Sequence, residues 1–124
     1  MKNENINKIV NELKKIKEVK AVYLFGSCAR GTEKPISDID ICVITEKNIL
    51  EEKKMEIVSY SGRKIQISIF WSLPIMIRYN VLKQGKPLFE RDEKFLHSIK
   101  VETLNEYLDF KPVIERFTRL YLGV

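Results

Sequence analysis

No stretch of this sequence approaches the roughly 20 consecutive apolar residues that a membrane-spanning helix needs. Its opening, MKNENINKIV, has neither the continuous apolar segment nor the small-residue cleavage site of a secretion signal. The expectation is a soluble, cytoplasmic protein with no membrane partner. Cysteine is scarce: Cys28 and Cys42 are the only two, too few to staple a small scaffold. With no other Cys or His at metal-ligand spacing, both read as ordinary small residues. His97 is the single histidine; with no Ser or Cys partner in view it reads as structural or solvent-facing. The aromatic residues do not interleave with Lys and Arg along a strand, as a base-stacking platform requires, so nucleic acid is not an expected partner. No repeat, linker or low-complexity run is present.

What is there is a chain of 124 residues, 44% of them apolar. That is enough for one compact domain with a real core and too little for two. Lys and Arg number 22 against 17 Asp and Glu, a net charge of +5, which suits a polyanionic ligand such as ATP or RNA without choosing one. Ile6, Ile9, Val10, Leu13 and Ile16 recur at helical spacing. Ala21–Phe25 is a short apolar run that ends at Gly26 and reads as a buried strand. Residues 26–37 hold two glycines, two serines and Pro35, so they read as loop or broken helix. A second strand is expected over Asp38–Thr45 and a helix within residues 48–60. A turn is expected at Ser61-Gly62 and a third strand over Lys64–Phe70. Ser72 is placed to cap a helix that has Pro74 in its first turn and uses Leu73, Met76, Ile77 and Val81. Leu88–Glu90 reads as an edge strand. A helix from Asp92 is expected to break at Asp109–Pro112, before a last amphipathic helix with Val113, Ile114, Phe117, Leu120 and Tyr121 on one face. That last face reads first as packed on the protein's own core and, alternatively, as a docking surface. The element order is that of a mixed α/β (α+β) domain with a small sheet.

The chemistry is concentrated in one stretch. Gly26 lets the backbone turn close to a ligand at the end of a buried strand. Ser27 offers a hydroxyl and an amide N–H to phosphate oxygens, Gly31 adds freedom to the loop, and Arg30 supplies a fixed, forked positive charge. Asp38 and Asp40 are two apart on a strand, so their side chains leave the same face, with Cα atoms about 6.6 Å apart. Two carboxylates so placed can converge on a hard cation such as Mg²⁺. Bound there, the cation would neutralise a triphosphate and activate an attacking hydroxyl. A lone Gly-Ser is an ordinary turn and a lone Asp-x-Asp an ordinary strand end. Together, behind an apolar strand and ahead of an alternating one, they point to a site.

Gly26-Ser27, ten residues, then Asp38-x-Asp40 resembles the signature of the polymerase-β-like nucleotidyltransferases. The longer string LFGSCARGTEKPISDIDICVI, residues 24–44, resembles the minimal nucleotidyltransferases, or MNT domains, of that superfamily. Weaker likenesses run through Ser61–Ile65, Gly85, Leu88–Glu90 and Tyr107–Pro112, so the resemblance covers nearly the whole chain. It implies a single nucleotidyltransferase domain over residues 1–124, built on a small mixed sheet flanked by helices. By the same resemblance Gly26, Ser27, Arg30 and Ser37 bind the nucleotide, and Asp38 and Asp40 bind Mg²⁺. The implied reaction moves AMP from ATP to an acceptor. Many MNT proteins are antitoxins that pair with a helical HEPN ribonuclease and AMPylate a tyrosine on it, so a HEPN toxin is the implied partner and acceptor. A small-molecule acceptor is the enzymatic alternative.

One position departs from the pattern. The family carries a third carboxylate on the next strand, where it helps deprotonate the acceptor. Here Lys64-Ile65-Gln66-Ile67-Ser68 places Gln66 at that point, and an amide neither carries charge nor takes up a proton. Three readings follow: an enzyme that works by positioning and charge stabilisation, replacement by another carboxylate such as Glu90, or an antitoxin that acts by contact alone. The alternation of Ile65, Ile67 and Ile69 puts Gln66 and Ser68 on the opposite, polar face of the strand.

Overall fold

The computed structural model describes residues 2–26 and 39–123. In chain order these form α1 (Lys2–Leu13), β1 (Val19–Phe25), β2 (Ile39–Thr45), α2 (Glu51–Val58), β3 (Ile65–Ile69), a short 3-10 turn (Phe70–Ser72), α3 (Ile75–Gln84), β4 (Lys86–Glu90) and α4 (Glu93–Leu122). The sheet runs β3-β2-β1-β4. β1 is antiparallel to both β2 and β4, whereas β2 and β3 are parallel. Parallel neighbours need a crossover connection, and α2 supplies it.

Side chains alternate along each strand, so each face of the sheet buries its own core. On one face Val22, Leu24, Ile41, Val43, Ile67 and Ile69 pack with Ile6, Val10 and Leu13 of α1 and Ile57 of α2. On the other, Ala21, Tyr23, Cys42 and Ile44 pack with Phe70, Val81 of α3, and Leu96 and Ile99 of α4. The molecule is thus a mixed α/β sheet with a helical layer on each side, as the residue pattern predicts. No helix among the described residues is long and apolar enough to cross a membrane.

Four local expectations are corrected. The reversal before β3 centres on Arg63-Lys64 rather than Ser61-Gly62: Gly62 bridges to Ile65, and Lys64 takes φ 66°. Ser72 does not cap α3; it closes the 3-10 turn, and Pro74 is the N-cap, without a side-chain hydrogen bond. Leu73 precedes α3, which buries Ile75 and Val81 while Met76 and Ile77 stay exposed. Finally, α4 is one helix of 30 residues with Pro112 inside it, not two helices divided at Asp109–Pro112. Proline removes one N–H from the ladder and leaves the carbonyl four residues back without its partner. Around Pro112 the helix is exposed, so water can take that carbonyl and the helix continues.

The far end of α4 does not pack on the core. Near its middle, Tyr107 stacks on Tyr79 of α3 at 3.8 Å between ring centroids, and Glu106 meets Arg78 at 2.8 Å. Beyond that point Phe110, Val113, Phe117, Leu120 and Tyr121 are all exposed, Phe117 by 57% and Tyr121 by 72%. The apolar stripe read in the sequence is real, but the sheet ends before the helix does.

Candidate active site

The site grows from the end of the β1–β2 ladder. Phe25, the last residue of β1, pairs with Asp40 of β2, and Asp40 in turn is in register with Gln66 of β3. Paired residues share a face, so Phe25, Asp40 and Gln66 lie on the face that α3 and α4 cover further along. Asp40 is half-buried and Gln66 exposed. Next along from Phe25, Gly26 turns the chain with φ +78°, a conformation that only glycine adopts without strain. A Cβ at Gly26 would stand 2.8 Å from Oδ2 of Asp40. Glycine is therefore required twice, once for the turn and once for the room the carboxylate occupies.

Ser27, Arg30, Ser37 and Asp38, all read from the sequence as site residues, lie outside the described residues, as do Cys28 and Gly31. Of the predicted set, the fold brings together Gly26, Asp40 and Gln66. The polar-face expectation for Gln66 and Ser68 holds: they pair with Asp40 and Cys42 on the face opposite Ile65, Ile67 and Ile69. Glu90, offered as one example of a substitute carboxylate, does not lie beside Asp40. Glu90 pairs with Ala21 across β1–β4, four residues along β1 from Phe25 and so about 13 Å away at the usual rise. It also lies across β1 from β2. There it accepts a hydrogen bond from the Tyr23 hydroxyl at 2.7 Å and faces Lys100 at 3.8 Å. Burial, with that hydrogen bond and the charge of Glu90, pushes the Tyr23 hydroxyl well above its ordinary range. Burial alone does the same to the Cys42 thiol, so neither group is a nucleophile near neutral pH. His97 is exposed on α4.

A hard divalent cation prefers carboxylate oxygens. The Asp40 carboxylate, standing where a side chain at position 26 would intrude, is a donor of the right kind. Beside it is a feature that the sequence did not single out. A cavity of about 220 Å³ opens between the end of β1 and α3, lined by Phe25, Gly26, Ile77, Asn80, Gln84 and Gly85. Gly85 fixes its floor: a Cβ there would meet the Val81 carbonyl oxygen at 2.3 Å and the Tyr23 ring at 3.1 Å. The only signal of this cavity in the sequence is that Ile77, Asn80 and Gln84 recur at helical spacing.

A strand ending in a left-handed glycine thus lies against an aspartate on its antiparallel neighbour, within a mixed sheet layered by helices. Residues 7–94 match the model of the polymerase β nucleotidyltransferase family, and the chain belongs to that family. It is 30% identical over 115 residues to the protein adenylyltransferase MntA of Shewanella oneidensis, a match covering 87% of this chain and 82% of that protein. It is 33% identical over 72 residues to a protein of Methanocaldococcus jannaschii classed with the protein adenylyltransferases. That match takes in 58% of this chain and little more than half, 57%, of the archaeal protein. The fold is that of a chain in a solved complex of a tri-AMPylated Shewanella oneidensis HEPN toxin with its MNT antitoxin, with TM-score 0.66, 22% identity, and coverage of 94% of this chain and 98% of that one.

Proposed function

We propose that this chain is an antitoxin that transfers AMP from Mg²⁺-bound ATP to a hydroxyl on a HEPN-type toxin, in the cytoplasm. The observation that carries the reading is the contact of Gly26 with the Asp40 carboxylate at the end of the sheet. The absence of a side chain at position 26 lets the carboxylate lie against the backbone turn. Gly26, Ser27, Arg30 and Ser37 would bind the nucleotide, and Asp38 and Asp40 would hold the cation. When bound, Mg²⁺ supplies neutralisation of the triphosphate and of the charge that develops as pyrophosphate leaves. In the transfer the acceptor oxygen bonds to the α-phosphorus, the bond from that phosphorus to the bridging oxygen breaks, and the hydroxyl proton is lost. Gln66, in register with Asp40, can orient the acceptor through its amide but cannot take that proton, which passes to water.

The partner assignment draws on the relatives and on α4. The exposed apolar stripe from Phe110 to Tyr121 is the kind of surface that a helical protein partner covers. A second reading, an antitoxin that acts by contact alone, is favoured by one observation: a neutral amide stands beside Asp40 where the family carries a carboxylate.

Transfer from α-labelled ATP to a HEPN-type protein, sought among the products of the neighbouring genes, separates the two. The enzyme reading expects label on the partner, its loss in Asp40→Ala, and at least a tenfold rise in Gln66→Asp or Gln66→Glu. A general base is worth about 10²–10⁴-fold, and the two variants differ in reach. A stable, neutralising complex without label in any variant would leave contact alone as the mechanism.

A further inference from the structure

We propose that the cavity between the end of β1 and α3 is the base-recognition subsite of the nucleotide site, and that Asn80 and Gln84 read adenine in it. The inference rests on the reading of Asp40 as the phosphate end of that site. Gly26 joins the two: it faces Oδ2 of Asp40 and also lines the cavity. A nucleotide with its phosphates near Asp40 would therefore have the cavity beside it, on the same face of the sheet.

Size and chemistry both select a base. At about 220 Å³ the cavity is smaller than the roughly 300–1,000 Å³ of sites that enclose a drug-sized ligand. It can take a flat heterocycle but not a whole triphosphate. None of the six described residues that line it carries a charge, a lining that suits a neutral ring. Phe25 and Ile77 provide apolar surface for the ring faces. The core at this end of the sheet does not absorb Ile77, which remains 38% exposed.

Asn80 and Gln84 are four apart on α3 and so lie on one side of it, a turn apart. Both are exposed and line the cavity. A carboxamide offers one acceptor oxygen and two N–H donors. Adenine presents an amino donor beside a ring-nitrogen acceptor, the pattern that Asn or Gln pairs with bidentately. On the corresponding edge guanine presents two acceptors, a carbonyl and a ring nitrogen, and it carries its ring N–H and amino donors on another edge. An acceptor-only carboxylate at position 84 would match the ring N–H and amino group of guanine and would repel the ring nitrogen of adenine.

Calorimetric titration of the full chain with ATP and with GTP, both in excess Mg²⁺, tests this. The wild type is expected to favour ATP. The double variant Asn80→Ala, Gln84→Ala is expected to lose roughly tenfold in ATP affinity, to leave GTP affinity unchanged, and so to lose the preference. Gln84→Glu is expected to move the preference toward GTP. Both side chains are exposed, so the variants should unfold at the wild-type midpoint, which keeps a binding loss distinct from a folding loss. Retained ATP preference in the double variant, with binding still abolished by Asp40→Ala, would overturn the subsite and leave the transferase reading standing. No binding of either nucleotide to the wild type, together with no transfer from labelled ATP, would overturn both.

Discussion

At Gly26 two demands coincide. The backbone angle of +78° and the 2.8 Å from a hypothetical Cβ to the Asp40 carboxylate oxygen each exclude a side chain, and they act on different properties. Alanine in a left-handed conformation costs about 1–2 kcal/mol. Separately, the added methyl would push the carboxylate out of place. Gly26→Ala is therefore expected to fold with stability reduced by about 1–2 kcal/mol and to lose far more nucleotide binding than that loss of folded protein explains. Urea unfolding and nucleotide titration on the same preparation check it. Binding at the wild-type level would mean that the Asp40 carboxylate is not used in this position. Gln66 poses the complementary question. The alternation of its strand gives its face, but that Asp40 is its direct neighbour follows from the parallel β2–β3 register.

At the scale of elements, α4 is where local preference and structure part. A proline preceded by Asp109-Phe110-Lys111 reads as a boundary because the residue before proline disfavours the helical region, yet the helix runs through Pro112 to Leu122. Proline in a helix interior costs about 3 kcal/mol relative to alanine, and Pro112 is exposed, so no packing is lost by replacing it. Pro112→Ala is expected to increase the helical circular dichroism and to slow amide exchange over residues 108–122. An unchanged spectrum and unchanged exchange would count against a helix continuous through this point. β4 presents the opposite case. Pro87, inside the strand, is compatible with an edge position, and among the described strands β4 is at an edge of the sheet, beside β1.

For the molecule as a whole, two groups among the described residues that the fold perturbs, Cys42 and Tyr23, both lie in the core between the sheet and α3–α4. Cys42 is raised above its ordinary 9.0 by burial, and Tyr23 above its ordinary 10.0 by burial and then by Glu90. In the unfolded chain both ionise from those ordinary values upward, whereas the folded protein keeps them protonated. Above about pH 9 the folded state therefore binds more protons than the unfolded one, and stability falls as pH rises. Below that value neither group affects the pH dependence. Urea unfolding at about pH 8 and about pH 10 should show the loss, and Cys42→Ala should reduce its slope. An equal slope in that variant would mean that other groups set the alkaline limit. The same burial makes Cys42 unreactive toward thiol reagents until the chain opens, because the thiolate is the reactive form.

The apolar alternation of the strands, the periodicity of α1 and the pairing of a glycine turn with Asp-x-Asp are properties of short windows. They were legible in the sequence because side-chain direction follows directly from strand and helix geometry. Those windows carried the mixed α/β class and joined Gly26 to Asp40, while Gln66 was added by the family resemblance. What they could not carry was anything that depends on how far one element extends past another. Glu90 looked available until strand order placed it across β1, near Ala21. The stripe from Phe110 to Tyr121 has the periodicity of a packed helix and is exposed because the sheet beneath α4 stops short of it. Nothing in their own window marks Asn80 and Gln84, and only the packing of α3 against the end of β1 makes them part of a cavity. Periodicity fixes which way a side chain points from its own element, and only the packing of elements decides what it points at.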